Sequence, residues 1–120
     1  MIAPPDYNTP DSRNRSFHPE ELAVATFIAT LCFTEQGFAN IHETCARAAS
    51  FKNAAKKIGV KVVATYWTQG ASDGVLILEA DNEEAATAVL LHLGSQGNVR
   101  TQTTRAYNAA EMEKILTKVT

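Results

Sequence analysis

The stretch Val60–Ala80, VKVVATYWTQGASDGVLILEA, places two runs of strand-forming residues on either side of a short break rich in glycine, serine and aspartate. β-Branched and aromatic side chains suit a pleated, half-buried surface, so VKVVATYWT and GVLILEA read as strands. So short a connection leaves no room for a crossover, and the two strands must pair antiparallel. Gly70 and Gly74 tolerate positive φ, and Asp73 and, more weakly, Ser72 bond nearby backbone amides, so turn chemistry alone explains the break. The centre of the chain is therefore a hairpin, and the outer elements must pack around it.

Upstream, AVATFIATLCF (Ala23–Phe33) is apolar or threonine at nearly every position and has the length of a strand. After Gly37, the residues Phe38, Ile41, Cys45, Ala48, Phe51, Ala55 and Ile58 recur at spacings of three and four, which predicts one long amphipathic helix. Lys56 and Lys57 suit the negative end of its dipole, and Gly59 suits its stop. Downstream, Asp81 and Glu84 form a capping pair ahead of Ala85, Val89, Leu90 and Leu93, a second helix ending near Gly94. NVRTQTTRAY (Asn98–Tyr107) reads as a fourth strand, and Asn108 with Glu111 caps a terminal helix carrying Met112, Ile115, Leu116 and Val119. The order βαββαβ plus a helix predicts an α+β, ferredoxin-like sandwich, with two helices on one face of four antiparallel strands.

A chain of 120 residues with 45% hydrophobic content fits one domain with a single core. All four prolines fall within residues 1–22, among few apolar side chains, so that segment is expected to be a flexible arm and 23–120 the folded domain. Tyr7 and Phe17 of the arm either stay unpacked or dock on a neighbouring subunit. A net charge of -2, with scattered lysines and arginines, points away from nucleic acid as a partner. No apolar run approaches the roughly 18 residues that span a bilayer, and the N-terminus lacks the pattern of a secretory signal; neither membrane association nor export is expected, and the setting is read as cytoplasmic. The two cysteines make no disulfide framework. Cys32 in a strand and Cys45 at a helical core phase are expected as small buried hydrophobes.

Two helices leave one face of the sheet uncovered. Strict alternation places either Val62, Ala64 and Tyr66 or Val63, Thr65 and Trp67 on that face, and both sets bring large apolar groups to water. Apolar burial is worth about 25 cal/mol per Å², and an exposed patch of several hundred Å² usually marks a contact site. A second subunit, pairing its sheet face with this one, is the expected cover, with room for a small cavity between the sheets.

The stretches FTEQGFANI (33–41), AASFKNAAKKIGVKVVATYWTQGASD (48–73) and GSQGNVRTQTTRAY (94–107) together resemble the GYD domain family, from about Thr26 to Lys118. The resemblance implies a ferredoxin-like fold of the kind found in dimeric α+β barrels. The family's glycine, tyrosine, aspartate signature aligns with Gly70, Ser72 and Asp73. Ser72 stands where the tyrosine belongs, which leaves any pocket lined by that ring larger or open. Gly70 and Asp73 match the family, as do Trp67, Gly37, Gly94, Gly97, Asn98 and Arg100.

The candidate ligand-binding residues are Trp67, Gly70, Ser72, Asp73 and Arg100. Asp73 is either a turn former or a general base or polar anchor near Trp67, with Ser72 as a hydrogen-bonding partner; no histidine or lysine adjoins it in sequence to complete a proton relay. Trp67 is either a core or interface anchor or a platform for a planar organic molecule. Arg100 and Arg105 lie an odd number of residues apart and so point to opposite faces; one of them either anchors a carboxylate or forms a surface or intersubunit ion pair. His42, Cys45 and His92 match no recognised metal pattern, and neither metal nor cofactor is expected. LGSQGN (93–98) leaves a helix and enters a strand, the reverse of a phosphate cradle. The preferred reading is a self-associating domain that binds a small organic ligand or has a regulatory role. The alternative is a cofactor-independent enzyme, monooxygenase- or isomerase-like, using Asp73, Trp67, Arg100 and His42 between paired sheets.

Overall fold

The computed structural model describes residues 24–120; the expected arm, with Tyr7, Phe17 and His18, lies outside the described residues, as does Ala23. Strand β1 (Ala25–Phe33) is followed by α1 (Glu35–Ala39), a 3-10 turn (Ile41–Glu43) and α2 (Thr44–Lys57). The hairpin β2 (Lys61–Trp67) and β3 (Gly74–Ala80) comes next, then α3 (Glu83–Ser95), β4 (Val99–Ala106) and α4 (Ala109–Leu116). The sheet order is β2-β3-β1-β4 with every neighbour antiparallel. This is the ferredoxin-like βαββαβ arrangement with a terminal helix.

β1 is central, so its residues meet partners on both sides: Phe27 lies opposite Leu78 of β3 and Arg105 of β4. Alternation sends Ala25, Phe27 and Ala29 to the same face as Leu76, Leu78 and Ala80, and all six are buried. Phe51 and Ala55 of α2 and Ala86, Val89 and Leu90 of α3 pack on them to complete the core.

The helix expected after Gly37 is broken into three pieces. Thr34 caps α1 by accepting the Gly37 N–H at 3.1 Å, and its own N–H donates to the Asn98 carbonyl at 3.0 Å, which clamps α1 to the start of β4. The clamp requires glycine, because a Cβ on Gly37 would sit 2.1 Å from the Asn98 carbonyl oxygen. Beyond it the 3-10 turn resets the helical phase. The inward stripe then runs through Thr44, Ala48, Phe51 and Ala55 instead of Phe38, Ile41 and Cys45. Phe38, Ile58 and Cys45 are exposed, so the expectation of a buried Cys45 thiol is corrected; Cys32 is half-buried.

Smaller differences follow from local capping. Asn82, not Asp81, caps α3, accepting the Ala85 N–H at 2.8 Å. The helix runs through Gly94 to Ser95, and it is Gly97, at φ 86°, that takes the left-handed conformation before β4. Gly59 at φ 83° ends α2 as expected, and Asn108 and Glu111 form the expected capping box on α4.

A bulge between Val62 and Ala64 overturns both alternation sets expected for β2. The extra residue switches the pleat, so Val62, Thr65 and Trp67 lie opposite Leu78, Leu76 and Gly74 on the helix side, while Ala64 and Tyr66 share the outer face with Ile77 and Val75. The outer face therefore has an apolar centre of Ile28, Val75, Ile77 and Tyr66, bordered by Thr26, Thr30 and Glu79 and by the polar side chains Arg100, Gln102 and Thr104 of β4. No helix among the described residues is long and apolar enough to cross a membrane.

Candidate functional site

An apolar cavity lies where β1 and β2 end and β3 and β4 begin, on the helix-covered side of the sheet. Leu31, Phe33 and Leu76 supply its floor, Phe51 and Leu93 its helical walls, and Trp67, Thr44 and Arg47 stand at its margin. Its volume is about 50 Å³. The cavity is on the face opposite to the one where paired sheets are expected to enclose a site.

Trp67 reaches it because of the bulge. Its Nε1–H donates to Thr44 Oγ1 at 3.0 Å, tying the end of β2 to the first turn of α2, yet the indole remains 46% exposed. The ring is both a structural tie and an accessible aromatic surface.

The loop from Thr68 to Asp73 is held by its own backbone. Thr68 N–H donates to the Asp73 carbonyl at 2.9 Å, the Thr68 hydroxyl donates to the Ser72 carbonyl at 2.8 Å, and Gly70 supplies a φ of 123°. Asp73 joins the loop to β1 twice: its N–H donates to the Leu31 carbonyl at 2.8 Å, and its carboxylate Oδ2 accepts the Phe33 N–H at 2.8 Å. The Cys32 thiol adds a longer contact to the Ala71 carbonyl, at 3.6 Å. Gly70, Ser72 and Asp73 thus shape and fasten the loop that follows Trp67.

Arg100 is exposed and pairs across from Cys32 on the outer face, so the structure separates it from the Trp67 cavity. Arg105 is on the helix side, with its guanidinium 4.5 Å from the Tyr107 ring centre, 5.7 Å from that of Phe27 and 3.9 Å from Glu111. His42 is exposed on the 3-10 turn, outside the cavity wall. Among the described residues no group of three or more histidine, cysteine, aspartate or glutamate side chains is placed to hold a metal ion.

Sequence reasoning missed Arg47, whose position falls off the apolar phase counted from Phe38. With the phase reset at Thr44, its side chain joins the cavity wall. Nη1 donates to the Asn40 carbonyl at 2.7 Å, whereas Nη2 is buried and has no hydrogen-bond partner among the described residues. The one signal in the sequence is Asn40, a residue that commonly ends a helix turn, seven positions upstream.

Residues 27–116 match the model of the GYD domain. The chain belongs to the GYD domain family. It is 31% identical over 88 residues to a Thermus thermophilus protein named glutamine synthetase and cystathionine beta-lyase binding protein, a match covering 72% of this chain and 93% of that one. Among solved structures, this GYD domain is similar to MtbAldR, with a TM-score of 0.52 and 16% identity over 78% of this chain and 60% of that one. It is also similar to a feast or famine regulatory protein from M. tuberculosis complexed with L-methionine, with a TM-score of 0.57 and 18% identity over 82% of this chain and 65% of that one. At such identities the likeness shows the ferredoxin-like fold alone, and the GYD domain spans less than two thirds of either structure.

Proposed function

We propose that this GYD domain is a self-associating regulatory module that takes a small organic molecule into the Trp67 cavity and acts by binding other proteins. The observation that carries the reading is the cavity itself: an apolar, concave space of about 50 Å³, with an accessible indole and a few convergent polar groups at its margin, which suits the apolar part of a very small ligand. The engaged state of Asp73 supports binding over catalysis. Its Oδ2 accepts a backbone N–H, and the adjacent Ser72 carbonyl accepts the Thr68 hydroxyl, so this loop presents fixed backbone pairing in place of a nucleophile and its base.

The outer face supports self-association. Ile28 and Tyr66 are 36% and 59% exposed around Val75 and Ile77, an apolar centre with a polar border. The Thermus relative's name describes a protein that binds two enzymes. By extension this chain binds enzymes as a small accessory subunit, with ligand occupancy as the signal.

The test is a titration of the purified protein with organic acids, phenols and quinols, followed by the fluorescence of Trp67, the chain's one tryptophan, with each binder then assayed for turnover. Saturable binding without turnover is expected. Turnover that disappears in Asp73→Asn while the fold survives would replace this reading with the cofactor-independent enzyme.

A further inference from the structure

We infer that the Trp67 cavity selects a small aliphatic carboxylate, with Arg47 receiving the carboxylate and the apolar floor receiving a short branched tail. This rests on the ligand-binding reading of the cavity and narrows it to one chemical class.

The first ground is the state of the guanidinium. Arginine keeps its charge in any protein environment, and its planar fork of N–H groups matches a carboxylate. Here Nη1 meets only a neutral carbonyl, that of Asn40, and the buried Nη2 meets no acceptor among the described residues. Buried donors in native proteins are nearly always paired, because an unpaired one forfeits its hydration without replacement. A cationic donor raises that cost further.

The second ground is charge. No aspartate or glutamate lines the cavity, so the Arg47 charge is uncompensated there. Glu43, which shares the adjoining groove between α2 and α3 with Arg47, makes no ion pair with it among the described residues. An anion entering the cavity meets one positive charge and no opposing one.

The third ground is the surrounding set of groups. Thr44 Oγ1 already accepts the Trp67 indole N–H, which leaves its hydroxyl proton free to donate to a second acceptor. Leu31, Phe51, Leu76 and Leu93 offer only hydrocarbon. A volume of about 50 Å³ holds roughly three to five water-sized groups, the size of an isopropyl or isobutyl tail.

The probe is isovalerate, set against isovaleramide, its neutral near-isostere, with isobutanol as a purely apolar filler. Binding is measured by calorimetry and Trp67 fluorescence on the full chain. Isovalerate is expected to bind at least about tenfold more tightly than isovaleramide. Arg47→Gln should erase that difference, and Arg47→Lys should keep part of it; thermal melts of both variants verify folding. Equal affinity for isovalerate and isovaleramide in the unaltered protein overturns the carboxylate preference and leaves the cavity as a ligand site. Binding of isobutanol alone does the same. Failure of all three probes overturns this inference together with the cavity reading beneath it.

Discussion

The two faces of the sheet use the same strands in different ways. On the helix side of β1 and β3, Phe27, Leu76 and Leu78 are buried against α2 and α3, and nothing polar interrupts them. On the other side, Ile28, Val75 and Ile77 alternate with Thr26, Thr30 and Glu79, and β4 brings Arg100, Gln102 and Thr104. The first pattern is that of a core. The second, an apolar centre within a polar frame, is that of a surface that accepts a partner and also tolerates water. A strand rich in apolar residues does not reveal which of these its second face will be.

That contrast can be broken by substitution. The largest effect is expected at Leu78, which is fully buried on the helix side: Leu78→Ala should destabilise the fold by about 3 kcal/mol in urea unfolding, through lost burial and a residual cavity. A loss below about 1 kcal/mol would mean that the helix side is less tightly packed than its burial indicates. An intermediate effect is expected in the loop between β2 and β3, where Asp73 fastens it to β1. Asp73→Ala should cost about 1–2 kcal/mol by leaving the Phe33 N–H without its acceptor, and Asp73→Asn, which keeps a carbonyl oxygen there, should cost less. If Ala and Asn are equally mild, the carboxylate is not the staple described and its role must be sought in ligand contact.

The smallest effect on stability is expected on the outer face. Tyr66→Glu should shift unfolding of the single chain by no more than about 0.5 kcal/mol, since Tyr66 is 59% exposed on the edge strand β2 and substitutions at exposed surface sites are usually tolerated. The same change should lower the sedimentation coefficient from that of an assembly to that of a monomer. An unaltered chain that already sediments as a monomer at micromolar concentration would remove self-association from the proposed function while leaving the fold untouched.

The sequence displays some of this well and some of it not at all. Strands were legible because β-branched runs bounded by Gly59, Gly70 and Asn108 carry their own punctuation, and the α4 capping box was legible because Asn108 and Glu111 lie within one turn of each other. The breaking of the first helix was not, because Gly37 is dictated by the approach of the Asn98 carbonyl, far away in the chain. From that break follow the exposure of Cys45 and the placement of Arg47 in the cavity wall. The facing of Trp67 was equally hidden, since one extra residue at Val63 reverses every side chain after it.

Local periodicity and turn chemistry determined the element order and the antiparallel hairpin, because each depends on residues within a turn or two of one another. Tertiary structure alone decided which face Trp67 occupies, that Arg100 lies away from it and that Arg47 lies beside it. Those outcomes depend on a bulge in the pairing of β2 with β3 and on a helix break beside the distant Asn98 carbonyl, where single-residue shifts of phase exchange inside for outside.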